Sequence, residues 1–401
     1  MHIRLLLLVA VGTAVVLSAC GGGGDPRPDL LFVSTRDGDY AIYAMNVDGG
    51  RQKRLTRTEV DTSSPAGLFF QIDPAWSPDG AKIAFASRRE GSSDIYVMRA
   101  DGTGTQRLTA TRVDDNHPTW ASNGQQIAFK RADDIYVMKA DGTLAHEISH
   151  AMGSDSDPAW SPDGNWIAFT RRSSGTQERE IWIMRPDGSD PERLTSLRGS
   201  SINPAWSPDS KRIVFGAANE SGDPDHPTIN VLDLATGHTR RLTTGAYPVW
   251  SPDGTRIAVV DNCRISLIPA KGGKRTPITP RPQHGACLAD LGCWSTSGPQ
   301  TGACLADLGW SPDGRWIAAI DTEGSLPLVA RPDGKQPSLA RRIWPTAVRW
   351  PHDCMRLFFF PTPDLGAAGL AGWIVPGPRG FPRFAGVPPR TKTWSQIDWR
   401  C

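Results

Sequence analysis

The chain has 401 residues, with 44 Lys and Arg against 42 Asp and Glu and a formal net charge of +2, its basic residues scattered rather than gathered. That balance excludes the basic stripe of a nucleic-acid binder, and no nucleic-acid partner is expected. The length exceeds what one hydrophobic core serves, so the chain must split into domains or use a fold with several small cores.

The first element is a targeting segment, set apart from the fold. Residues 1–4 are short and basic, residues 5–16 form an apolar run too short to span a bilayer comfortably, and Leu17-Ser18-Ala19-Cys20 closes it. That tetrad resembles the bacterial lipoprotein box, in which cleavage before the Cys leaves a thiol that carries diacylglycerol. The expectation is a signal peptide over 1–19, lipid attachment at Cys20, a Gly/Pro tether over 20–28, and a globule over 29–401 held near a membrane.

A five-residue box then recurs. Trp-Ser-Pro-Asp-Gly stands at 76–80, 160–164, 250–254 and 310–314, with Ser last at 206–210 and degenerate copies beginning at Trp120 and Trp350. The Trp positions lie 40 to 46 residues apart except for 60 between Trp250 and Trp310. There residues 285–292 recur identically as 302–309, a tandem duplication of 17 residues read as a loop insertion. Such a period marks a repeat architecture whose units bury their apolar faces against neighbours.

Each box leads into an apolar strand such as 82–86, a polar loop, a second strand such as 94–98, an Asp-Gly turn and a short strand around Arg107. With the Trp strand this makes four short strands per unit, closed by Ser-Pro-Asp-Gly and Asp-Gly turns. Residues 30–34 read as a second strand lacking a Trp strand, and 395–401 as a Trp strand, around Trp399, with nothing after it. The prediction is an all-β fold: a β-propeller of four-stranded antiparallel blades, eight of them with seven as the alternative, the ring closed by pairing of the N- and C-terminal strands.

Seven Cys fit an oxidising compartment once Cys20 is assigned to lipid. None has Cys-x-x-Cys spacing with His partners, so zinc has little support. Cys354 and Cys401 fall in equivalent turns of adjacent blades and are the candidate disulfide. Cys263 with one of Cys287, Cys293 and Cys304 is a second pairing, and free thiols remain open.

Trp-Ser-Pro-Asp-Gly, Ile-Ala-Phe, Ile-Tyr-Val-Met, Asp-Gly and Arg-Leu-Thr, in that order, resemble the repeat of the TolB-like propellers, also called the WD40-like PD40 repeat. The resemblance covers roughly 29–401 and is clearest over 73–254. It implies a propeller, a bacterial envelope location, and protein partners such as peptidoglycan-associated lipoproteins and porin-like envelope proteins. Two departures from TolB are expected: no mixed α/β domain before the propeller, since the tether leads directly to Leu30, and a lipid anchor, which TolB lacks.

Among candidate sites, the boxed Trp are read as wedges between blades and the boxed Asp as caps of their own turns. The position three before each Trp (Asp73, His117, Asp157, Asn203, Tyr247 and Asp307) enters the innermost strands from interblade loops and should ring one mouth of the central channel. Carboxylates there could hold calcium, although ring symmetry spaces them widely and solvated turn residues explain them equally well. The long loops 57–72, 171–180, 217–228, 284–309 and 361–372 share that face, and Leu68-Phe69-Phe70 and Phe358-Phe359-Phe360 are apolar clusters that suit either a partner or the core. His146 and His150 lie in a turn-strand stretch, read as incidental, and no Gly-x-Ser-x-Gly elbow is present. The functional expectation is a monomeric, lipid-anchored, periplasm-facing platform for envelope proteins, with no catalytic residues. The alternative is an envelope hydrolase or lyase acting on glycan or peptide at the channel mouth through Asp73, His117, Asp157 and Asp307.

Overall fold

Short apolar strands cut by Ser-Pro-Asp-Gly and Asp-Gly turns cannot hide their faces singly, so they pair into small sheets that must stack on one another. The computed structural model describes residues 29–34, 40–47, 50–56, 71–150, 153–173, 178–196, 199–218, 227–261, 264–279, 305–321 and 327–334, with short strands at 15–17, 294–295, 298–299, 359–361 and 370–372.

Seven antiparallel sheets form the blades, each running from innermost to outermost strand in chain order. Blade 1 holds Val15–Leu17, Leu30–Ser34, Ala41–Met45 and Lys53–Arg54, and blade 2 holds Gln71–Trp76, Lys82–Glu90, Ser92–Arg99 and Gln106–Arg107. Blades 3, 4, 5 and 6 start at Asp115–Trp120, Gly153–Trp160, Ser201–Trp206 and Ala246–Trp250 and repeat the pattern. Blade 7 shows Leu305–Trp310, Ile317–Asp321 and Pro327–Ala330 among the described residues.

Between successive blades lies one apolar cluster, and the clusters run all the way round. Trp76, Trp120, Trp206, Trp250 and Trp310, each under a tenth exposed, insert into the strands of the preceding blade. The indole Nε1 of Trp120, Trp206 and Trp250 donates to the backbone carbonyl of Ala75, Ala159 and Ala205, 3.0–3.2 Å away on that preceding blade. The wedge therefore carries a hydrogen bond as well as area. Truncating such a Trp costs about 3–5 kcal/mol.

The remaining repeat motifs have local reasons. In the box, Ser77 Oγ accepts from Lys82 N at 2.9 Å and donates to Asp79 Oδ1 at 2.5 Å, and the same geometry recurs at Ser161, Ser207, Ser251 and Ser311. The boxed Asp thus caps its own turn, as expected. In Arg-Leu-Thr, the Thr hydroxyl continues a ladder that the two-residue outer strand cannot: Thr109 Oγ1 accepts from Ile95 N, Thr56 from Ile42 N, and Thr195 from Ile181 N, at 2.9–3.0 Å.

The ring corrects the expected blade number and closure. Blade 7 already packs on blade 1, Ala318 and Val329 meeting Leu30, Phe32, Ala41, Tyr43 and Met45, so the circle closes at seven blades and leaves no gap for an eighth. The inner edge of Leu30–Ser34 is paired by Val15–Leu17, where a C-terminal strand was expected. The β-branched end of the leader-like segment satisfies that edge. Trp350 and Trp399, counted in the eight, lie outside the described residues. They belong to a separate compact unit, Trp344–Cys401, whose described elements are Phe359–Pro361 and Leu370–Gly372, paired antiparallel.

Candidate functional site

Every inner strand of blades 2 to 7 carries a β-bulge just before its Trp. In blade 2 the register passes from Ile72 opposite Ala86 to Ala75 opposite Ala84, so Asp73 and Pro74 together face one partner residue, and the other five blades slip at the same place. Pro, which lacks an N–H, is at home in a bulge. The residue before it is left-handed, with φ of 54° at Asp73, 52° at His117, 55° at Asp157, 55° at Asn203 and 51° at Tyr247. Asp, Asn and His tolerate that region better than most residues. The backbone itself therefore sets these residues apart, each at a bulge of its inner strand.

The inner strands touch one another consecutively around the ring. Asp73 is buried, accepts from His117 N at 3.2 Å, and lies 3.7 Å from His117 Nδ1 across the blade boundary. Burial raises the Asp73 carboxyl above the ordinary aspartate value, His117 opposes the rise, and Asp157 adds to it through space. Asp73, His117 and Asp157 thus form one electrostatic sector over blades 2 to 4. Asn203 continues the series on blade 5. Tyr247 does not join as a free polar group: its ring packs on the clusters between blades 6 and 7 and between blades 7 and 1. Asp307 lies in the bulged strand Leu305–Trp310. Among the described residues no three His, Cys, Asp or Glu side chains gather as a metal cluster.

His146 Nδ1 meets Leu144 O and His150 Nδ1 meets Glu147 Oε1, so each ring has its own local contact. Cys20, Cys263, Cys287, Cys293, Cys304, Cys354 and Cys401 lie outside the described residues, as do Leu68, Phe69, Phe70 and most of the long loops.

One arrangement escaped the sequence reading. Asp115 and Asp155, each five residues before a Trp, bind Arg131 and Arg171, each eleven after it, through paired bonds of 2.6–2.8 Å. Both guanidinium groups lie over two rings, Arg131 over Phe129 and Tyr136 and Arg171 over Phe169 and Trp182. Planar stacking and bidentate pairing are what Arg supplies and Lys does not. The identical spacing in blades 3 and 4 was the available signal. These pairs brace the strands that carry His117 and Asp157.

The model of the TolB beta propeller domain matches residues 68–133, over the boxes at Trp76 and Trp120, and that of the tricorn protease N-terminal beta propeller domain matches residues 121–246. The repeats over residues 68–246 are similar to those of TolB-like and tricorn-type β-propellers. A TolB homolog of Chlorobium luteolum is 31% identical over 26% of this chain and 31% of its own length. An uncharacterized peptidase, YuxL, of Bacillus subtilis is 39% identical over 14% of this chain and 8% of its own. The chain thus spans about a third or less of the length of these curated relatives. Among solved structures, an oligogalacturonate lyase of Vibrio parahaemolyticus superposes with a TM-score of 0.59 at 11% identity, covering 81% of this chain and 93% of that one, a likeness of fold.

Proposed function

We propose that this TolB-like propeller is a binding platform in the bacterial envelope, anchored to a membrane through lipid on Cys20 and holding an envelope protein at one mouth of its channel. Residues 1–19 act as the leader and 20–28 as the tether, and the propeller works as a monomer. The reading is supported by the Asp73–His117–Asp157 sector: polar side chains set at the bulges of adjacent inner strands, Asp73 and His117 within the segment that matches the TolB propeller. A rigid rim of this kind favours recognition by complementarity of charge and shape. A photo-crosslinking amino acid at His117, whose side chain is 42% exposed, tests it in intact cells. The expected result is capture of one envelope protein, lost on Asp157→Lys; capture that ignores this charge reversal overturns the reading.

A second reading, an envelope hydrolase or lyase acting on glycan or peptide, is favoured by one observation. A buried carboxyl beside an imidazole has the makings of a general acid–base pair. Asp73→Asn and His117→Ala would then abolish turnover of a polyuronate or peptide while captured partners stay unchanged, with Asp157 and Asp307 as the next positions to test.

A further inference from the structure

Val15–Leu17 has two uses that exclude each other. As a strand it runs antiparallel to Leu30–Ser34, with Val15 opposite Phe32, Val16 opposite Leu31 and Leu17 opposite Leu30. It lies among the inner strands of both neighbouring blades, against Gln71–Trp76 on one side and Leu305–Trp310 and Ile317–Asp321 on the other. As the end of an apolar leader, the same residues depart when the bond between Ala19 and Cys20 is hydrolysed. Departure would strip the inner edge of a strand whose Leu30, Leu31, Phe32 and Val33 are wholly buried. A row of buried backbone N–H and C=O groups without partners is costly, and an open strand edge recruits another strand.

We infer that the processed, Cys20-anchored chain is a strand acceptor: blade 1 takes as its inner strand an extended, uncharged, β-branched segment of a partner protein, antiparallel to Leu30–Ser34. The inference rests on the proposed anchor and gives the platform a docking place. The resident segment defines the chemistry of its replacement. It is Val-Val-Leu, without charge or Pro, and three of its residues pair. Main-chain hydrogen bonds hold such a guest, and alternate side chains select it. Pro in the middle of the guest removes an N–H and breaks the ladder.

The test uses the exported chain, purified in detergent, its N-terminus read by mass spectrometry, and a fluorescent peptide of residues 10–19 as the probe. The peptide should bind the processed chain saturably, and the same peptide carrying Val16→Pro at least tenfold more weakly. A Cys20→Ala chain, which keeps its leader, should not bind it. The Leu31 amide faces the inner edge opposite Val16, while Leu30, Phe32 and Ser34 pair with Met45, Tyr43 and Ala41. Its hydrogen exchange should be fast in the processed chain and slow once peptide is added, a comparison that stands even if Cys20→Ala fails to fold. A chain that keeps residues 1–19 overturns both the anchor and the acceptor. A chain that begins at Cys20 but has a slow Leu31 amide without peptide, or binds both peptides alike, overturns the acceptor alone; a slow amide would mean that another segment of the chain covers the edge.

Discussion

At the residue scale, the buried Asp155–Arg171 pair and the buried Asp73 carboxyl behave in opposite ways. Asp155 and Arg171 side chains are 2% and 8% exposed, so removing one partner strands a charge in the interior. Asp155→Ala is expected to cost about 3–5 kcal/mol, whereas Asp155→Leu with Arg171→Met should cost far less or nothing, since an apolar pair of similar volume needs no compensation. Urea midpoints of the two singles and the double form the cycle that checks it. Asp73 instead pays for its burial with a raised carboxyl. A carboxyl raised in the folded state binds more protons there than when unfolded, so its contribution is full below about pH 4, the ordinary aspartate value, and is lost as pH rises through the folded value. Asp73→Asn should therefore gain stability relative to the parent chain as pH rises above about 4. Asp79 and Asp253 slope the other way, because their Ser hydrogen bonds lower them, and their contribution fades only on acidification. Urea melts across this range read the difference, and a constant gap between parent and Asp73→Asn would contradict it.

At the element scale, two glycines of similar backbone differ in what a side chain would meet. Gly188, in the Asp187-Gly188 turn, has φ +84° and would place a Cβ 2.6 Å from the Ile148 carbonyl oxygen of the previous blade. Gly237 has φ +67° and nothing within 4 Å. Gly237→Ala should cost about 1 kcal/mol of left-handed strain, and Gly188→Ala about 1–3 kcal/mol more from the clash. Equal thermal shifts for the two would show that the Asp-Gly turn does not press on its neighbour. Blade strands, both hairpins and the Trp wedges were legible in the sequence because each follows from a turn signal or a two-residue alternation repeated many times. The bulge was legible only as a position: three before each Trp pointed to Asp73, His117 and Asp157, but not to the left-handed backbone that places them. Tyr247 occupied the same position, yet its half-buried ring packs against two interblade clusters. The Arg131 and Arg171 braces were missed because pairing across strands depends on register, which the spacing of one strand does not disclose.

For the whole molecule, the error in counting is instructive: the sequence counts Trp strands, whereas closure is decided by which faces meet. Seven interblade clusters make a circle without ends, so no blade can loosen without opening the ring. The boundary between blades 7 and 1 differs from the others in that it joins distant parts of the sequence, and blade 1's inner strand there is a three-residue pairing. Phe32 and Phe215 are both wholly buried, Phe32 at this closure and Phe215 between blades 4 and 5. Each replaced by Ala should lose about 3–5 kcal/mol of packing. The consequences diverge, because a ring opened at its closure becomes a linear array with two ends, and linear arrays unfold in stages from their ends. Phe215→Ala should lower the urea midpoint and leave the slope of the transition unchanged, whereas Phe32→Ala should lower both, as partly unfolded rings become populated. Hydrogen exchange should then find blades 1 and 7 open before blade 4 in the Phe32 variant alone. Identical slopes, with exchange spread evenly over all blades, would mean that the closure is no weaker than any other boundary.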